Sequence, residues 1–177
     1  MKFLELVKKR QSDRKYLDKT VEREKIERCL EAARLAPSAT NSQPWEFIVV
    51  EDPEMRKKVA EATFSSVVRF NRFALKAPVL VVLVSWRPAL SIAIGGLLKD
   101  RQFNLVDVGI CAEHFCLQAA EEDLGTCILG WFRTRKIAKL LNIRPPKKPA
   151  LVMTLGYPSG ETREKRRKDP NKVRRYV

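Results

Sequence analysis

The chain is poor in the residues that most enzyme sites are built from. It holds one histidine, His114, and four cysteines, Cys29, Cys111, Cys116 and Cys127, with no Cys-x-x-Cys pair. A structural zinc site takes four closely organised Cys or His ligands, so no metal centre is expected. The cysteines lie mostly among apolar neighbours and read as buried free thiols, which pack like small hydrophobes. His114 falls inside an apolar helical pattern and reads as a packed or interface residue, which leaves a Ser-His-Asp or Cys-His site without a base. There is no Gly-x-x-x-x-Gly-Lys-[Ser/Thr] loop, no Gly-x-Gly-x-x-Gly and no Gly-x-Ser-x-Gly elbow. No run reaches about 18 uncharged apolar residues, so no transmembrane helix and no membrane partner are expected. An acid, Glu5, interrupts the apolar start, unlike a secretory signal. A cytoplasmic protein without structural disulfides is the simplest expectation. With neither metal set nor acid–base pair, a bound cofactor must carry any redox chemistry, and no side chain is nominated as catalytic.

What the chain has in plenty is charge. Lys and Arg number 35 against 21 Asp and Glu, a net charge of +14 over 177 residues. Nucleic-acid binding is one reading of such an excess, since clustered cations neutralise phosphates. Here, however, most cations alternate with acids, as in Glu22-Arg23-Glu24-Lys25. Only 163–175 is densely basic. A solvated surface with a site for a phosphorylated small molecule fits better, and no nucleic-acid partner is expected. The length fits one domain, residues 1–177, with 157–177 as a basic C-terminal arm.

Hydrophobic periodicity supplies the elements. Phe3, Leu4, Leu6 and Val7 give a short amphipathic helix. Thr20 is placed to cap a second, with Ile26, Leu30, Ala33 and Leu35 at helical spacing, stopped by Pro37. A polar loop then leads to Trp45-Glu46-Phe47-Ile48-Val49-Val50, a strand. Asp52-Pro53 starts a helix, with Asp as cap and Pro at the first position. Residues 79–84 are wholly apolar, so this strand belongs near the middle of a sheet with helices on both faces. A helix is expected over 90–98 and a long apolar one over 104–123, ended by Gly125. So apolar a helix is either central in the domain or packed against a partner subunit, and the face Val108, Ala112, Phe115 and Ala119 is assigned to the subunit interface. A strand over 126–132, a short helix over 135–141, a strand over 150–155 and an edge strand or arm over 173–177 complete an α+β or α/β layered domain.

Two segments suit a cofactor. In Arg10-x-Ser12-x-Arg14, alternate side chains of an extended stretch point the same way. Two guanidinium groups and a hydroxyl suit a phosphate, although a solvated loop is the plain alternative. Pro37-Ser38-Ala39-Thr40-Asn41-Ser42-Gln43-Pro44-Trp45 places small polar groups between prolines ahead of a strand. Together, Arg-x-Ser-x-Arg-x-Tyr and Ala-Pro-Ser-Ala-Thr-Asn-Ser-Gln-Pro-Trp resemble the opening of the nitroreductase family of FMN-dependent oxidoreductases. Asp107-Val108-Gly109-Ile110, Leu124-Gly125-Thr126-Cys127-Ile128-Leu129-Gly130 and Leu155-Gly156-Tyr157-Pro158 with Lys165-Arg166-Arg167-Lys168 extend the likeness over nearly the whole chain.

That resemblance implies an α+β, three-layer fold, with a central, mostly antiparallel sheet flanked by helices, in a homodimer with two FMN sites at the interface. It implies that Arg10, Ser12 and Arg14 hold the FMN phosphate and ribityl chain or pyrimidine edge. Pro37, Ser38, Ala39 and Asn41 would come from the other subunit, with Gln43 supporting their loop. Leu129 and Gly130 would lie by the flavin ring, with a backbone amide reaching N5. Lys165 and Arg167 would approach the phosphate, and Arg72 the pyrimidine edge. The implied activity is two-step. Reduced nicotinamide nucleotide, NADH or NADPH, reduces the flavin and leaves, and a small organic acceptor such as a nitroaromatic or quinone is then reduced in the same place. The chain is short for the family, is compressed between the 79–84 strand and the 104–123 helix, and has Leu129 where several relatives have an acid. These departures bear on the substrate, not the flavin. Rival readings are a flavin-binding sensor or carrier without turnover, and a basic nucleic-acid-binding protein.

Overall fold

A computed structural model describes residues 2–86 and 102–177. The helix expected over 90–98 lies outside the described residues. Helix α1 spans Phe3–Lys9, α2 Arg23–Arg34, α3 Pro53–Glu61, α4 Phe103–Glu121 and α5 Thr134–Leu140. Strands β1 Trp45–Val50, β2 Val79–Ser85, β3 Gly125–Leu129 and β4 Lys148–Gly156 form one sheet in the order β1-β2-β4-β3. Every pairing is antiparallel.

β2 is buried along its whole length, as the unbroken apolar run 79–84 requires, and the polar Ser85 at its end is buried with it. Its side chains alternate between two cores. Val79, Val81 and Leu83 pack with Ile26, Cys29 and Ala33 of α2 and with Cys111 and Phe115 of α4. Leu80, Val82 and Val84 pack with Val59 and Ala60 of α3 and Ile137 of α5. The result is helix, sheet and helix in three layers, the expected α+β arrangement. Each buried Val or Leu contributes roughly 1.5–3 kcal/mol relative to exposure, so β2 is a main anchor of both cores.

Several helix ends follow local chemistry. Asp52 caps α3 by accepting from the Met55 amide at 2.8 Å, with Pro53 at the first position, as the sequence indicates. α2 begins later than Thr20: Glu22 is its N-cap, and the Glu22 carboxylate accepts from the Tyr157 hydroxyl at 2.6 Å. Its expected core position Leu35 follows the last helical residue and is exposed. α4 is closed before Gly125 by Asp123, whose φ of 61° gives the left-handed turn. Gly125 has another task. A Cβ there would stand 2.7 Å from Asp13 Oδ2, so glycine is what lets the N-terminal segment lie against β3.

The face of α4 expected at a subunit interface is covered within the chain. Val108, Ala112, Phe115 and Ala119 are all buried in the core shared with α2, and Phe115 stacks on Phe47 with centroids 6.5 Å apart. Helix α4 is apolar on more than one side, and period alone does not say which side meets its own sheet. The side that remains outward carries Leu105, 46% exposed, Val106, 59% exposed, Gly109 and the half-buried Ile110. β3 stops at Leu129, short of the expected Phe132. At the C-terminus no strand forms over 173–177; Pro170–Lys172 make one 3-10 turn and the remainder is exposed.

Candidate functional site

The N-terminal segment after α1 runs extended along β3. Asp13 donates its amide to Thr126 O at 2.8 Å, and Ser12 bridges Thr126 in parallel. This contact brings Arg10, Ser12 and Arg14 to the β3 edge. Arg10 turns to α4, where its Nε and Nη2 donate to Glu113 Oε1 at 3.1 and 2.9 Å. Arg14 lies over the Phe73 ring, 5.9 Å from its centroid. Ser12 and Arg14 both approach Cys127: burial raises that thiol's pKa, and Arg14, the Ser12 side chain and Arg163 act against the rise.

The C-terminal arm closes over the same segment. Lys165 Nζ donates to Arg10 O. Arg163 donates from Nη2 to Ser12 O at 2.6 Å and from its amide to Gln11 Oε1 at 3.0 Å. Gln11 in turn donates to Asp13 Oδ1 at 2.9 Å. The Lys165 ammonium is held below its ordinary pKa, first by partial burial, then by the nearby Arg10, Arg167 and Arg163, with Glu113 acting against this. Arg10, Arg163, Lys165 and Arg167 thus gather near two carboxylates, Glu113 and Asp13. Such an excess of cations over acids is the electrostatic setting in which a phosphate dianion is stabilised. Asp13 lies beneath them, its carboxyl pKa raised by burial despite Gln11, Arg163, Arg14 and Lys165.

Arg163, Gln11 and Asp13 were not legible as site residues. Arg163 was one cation in a basic run, and Gln11 and Asp13 were the residues between the arginines. The expected Lys165 joins the cluster, and Arg167, on the exposed arm, lies close enough to act on Lys165.

The Pro37 to Gln43 segment sits elsewhere on α4. The Ala39 amide donates to Asp107 Oδ1 at 3.0 Å, and Asp107 is buried. Six residues separate Asp107 from Glu113, about 9 Å of helix rise. Ser38 Oγ accepts from the Gln43 amide at 2.9 Å, and Gln43 Nε2 donates to the Asn41 side-chain oxygen at 3.1 Å, both within the loop. Thr40, Asn41 and Gln43 all have positive φ, between 43° and 54°. Asn tolerates that region, whereas the β-branched Thr40 adopts it at a cost, so the three together fix an unusual loop shape. Among the described residues, no hydrogen bond joins this loop to the basic cluster.

Leu129 and Gly130 differ in what they offer. The Leu129 side chain is buried in the core of β2, α3 and α5, so only its backbone faces outward. Gly130 is exposed, with nothing within 4 Å of where a Cβ would stand. Arg72 opens the 3-10 turn Arg72–Lys76 and is exposed beside the buried Asn71, whose Nδ2 donates to Thr63 O and Trp131 O, each at 3.1 Å. The four cysteines are buried and free, and burial pushes Cys29 and Cys111 up to about 12 and Cys116 to about 11, which makes them poor nucleophiles. His114 is half-buried, with Nδ1 2.9 Å from Ile110 O. Among the described residues, no three His, Cys, Asp or Glu side chains are grouped to hold a metal, and no helix is long and apolar enough to cross a membrane.

Comparison with known proteins places these features in a wider set. Residues 7–157 match the model of the Nitroreductase family. A protein of Methanothermobacter thermautotrophicus with a provisional NADH dehydrogenase/NAD(P)H nitroreductase name is 31% identical over 177 residues, covering 98% of this chain and 86% of its own. A nitroreductase family protein of Clostridium novyi superposes with a TM-score of 0.80 at 30% identity, over 90% of this chain and 86% of the other. An FMN-dependent nitroreductase of Clostridium difficile superposes with a TM-score of 0.80 at 26% identity, over 99% and 98%.

Proposed function

Because the chain belongs to the nitroreductase family, we propose that it binds FMN as a homodimer and passes electrons from NADH or NADPH to a small organic acceptor. It is an oxidoreductase of the NAD(P)H-dependent kind. The observation that carries the FMN reading is the group Arg10, Arg163, Lys165 and Arg167, in which cations outnumber the two carboxylates at hand, Glu113 and Asp13. A terminal phosphate suits such a set, and no dinucleotide fingerprint is present for the pyrophosphate of FAD. Bound FMN would supply the two-electron chemistry that no side chain of this chain offers.

The protein's own part is to bind and orient. Arg10, Lys165, Arg167 and Arg163 would hold the phosphate, with Ser12 and Arg14 beside the ribityl chain or pyrimidine edge. The open backbone at Gly130 would leave room for a flat ring and present an amide to it. Fixed cations and backbone donors favour a negatively charged reduced cofactor, as preorganised dipoles do for other developing charge. Pro37, Ser38, Ala39 and Asn41 would reach the partner's site across the outward face of α4, where Leu105, Val106 and Ile110 present apolar surface. A nitroaromatic or quinone acceptor fits the resemblance, and a cytoplasmic location fits the sequence.

Purified protein is expected to be yellow and to release FMN on denaturation, identified by mass spectrometry. Bleaching of the flavin band by NADH or NADPH in stopped flow is expected and separates an enzyme from a carrier. Colourless protein that takes up no FMN on titration, or FAD as the main species released, would overturn the reading.

A further inference from the structure

A cleft of about 680 Å³ opens between the end of α3, the 3-10 turn at Arg72 and the start of α5. Four cations line it, Arg69, Arg72, Arg133 and Lys136, with one acid, Glu61. They come from two segments some sixty residues apart in sequence. Arg69 donates Nε to Ser66 O at 2.9 Å, and Arg133 donates Nη2 to Glu61 O. Among the described residues, none of the four is in an ion pair. The arginines of α2 behave otherwise: Arg23, Arg28 and Arg34 each pair with a carboxylate within 2.8 Å. The cleft therefore brings four cations together against a single acid, Glu61. Helix stability does not account for it, since Arg133 and Lys136 stand at the start of α5, where the helix dipole disfavours cations.

The cleft adjoins the open end of β3. Asn71, between Arg69 and Arg72, donates to Trp131 O, and Phe70 packs edge-on to the Trp131 ring at 6.1 Å. Trp131 directly follows Gly130. Arg14 lies over Phe73, on the same 3-10 turn as Arg72. A ligand reaching from this cleft toward Gly130 therefore follows a wall of defined structure.

We propose that this cleft seats phosphate groups of the reduced nicotinamide nucleotide, an assignment that rests on the flavin ring lying at Gly130. Guanidinium and ammonium groups without carboxylate partners suit phosphate oxygens. The pyrophosphate is common to NADH and NADPH, whereas the 2′-phosphate belongs to NADPH alone.

The test uses the full chain and the exposed pair Arg69→Glu/Lys136→Glu, with Arg69→Lys/Lys136→Arg as the conservative control. Calorimetric titration with adenosine 2′,5′-bisphosphate and with ADP reads the cleft without turnover. The charge-reversed pair is expected to bind at least one of these probes roughly tenfold or more weakly, the scale of charged hydrogen bonds lost. Its KM for the nucleotide should rise in step, with kcat and the FMN dissociation constant unchanged, and the conservative pair should bind as wild type does. Loss for NADPH and adenosine 2′,5′-bisphosphate alone assigns the 2′-phosphate; equal loss with NADH and ADP assigns the pyrophosphate. The proposal is overturned if wild type binds neither probe, if the reversed pair binds both as wild type does, or if only the KM for the acceptor moves. Should wild type carry no flavin, the wider functional reading fails, while the probe titrations still decide the cleft.

Discussion

Arg10 has two demands on it, and their balance can be measured. Its guanidinium is already held by Glu113, at 2.9 Å from Nη2, in a half-buried pair. Removing it in Arg10→Ala deletes a cation and also leaves Glu113 facing the place proposed for the phosphate. FMN binding should weaken by about 1.5–3 kcal/mol, the scale of a hydrogen bond to a charged group. The opposite change, Glu113→Gln, removes a carboxylate that opposes the cluster and should tighten FMN. Titration of apo-protein followed by flavin fluorescence checks both. If the two substitutions leave the dissociation constant where it was, Arg10 and Glu113 are a surface pair and nothing more. The segment Arg10-x-Ser12-x-Arg14 was legible because alternation in an extended stretch is a local property. Its partners were not, because Glu113 and Arg163 reach it only through the packing of α4 and the course of the arm.

Helix α4 shows how a whole element can be read correctly in extent and wrongly in orientation. Its length and apolar character follow from the sequence, yet Val108, Ala112, Phe115 and Ala119 face α2 and the sheet. Ala112→Glu would therefore bury a carboxylate in the core, at a cost of several kcal/mol. The expected outcome is loss of the fold, seen as low soluble yield and a collapsed thermal transition in circular dichroism, and not a folded monomer. A soluble variant with the wild-type melting curve would mean that this side of α4 is not packed as described. β2 is the converse case. Seven consecutive buried positions admit only a central place in the sheet, whichever helices cover it.

At the scale of the molecule, the outward side of α4 is the candidate for self-association. Leu105 and Val106 are exposed there, and Gly109 leaves space for close approach. Val106→Glu adds a charge where the single chain has solvent, so the fold should survive while the proposed dimer weakens. Light scattering coupled to size exclusion should give twice the chain mass for wild type and a lower mass for the variant, with part of the flavin lost. A wild type that runs as a monomer and keeps FMN would remove the cross-subunit role of Ser38, Ala39 and Asn41. The sequence by itself determined most elements, the central place of β2, the cap at Asp52 and the two cofactor-like segments, because hydrophobic period and capping are written within a few neighbouring residues. Tertiary structure alone decided which side of α4 is core, that Arg163 clamps Ser12, and that Arg69 and Arg72 meet Arg133 and Lys136 in one cleft. The first turns on a helix that is apolar on more than one side, and the other two bring charged residues to partners far away in sequence, for which charge carries no period.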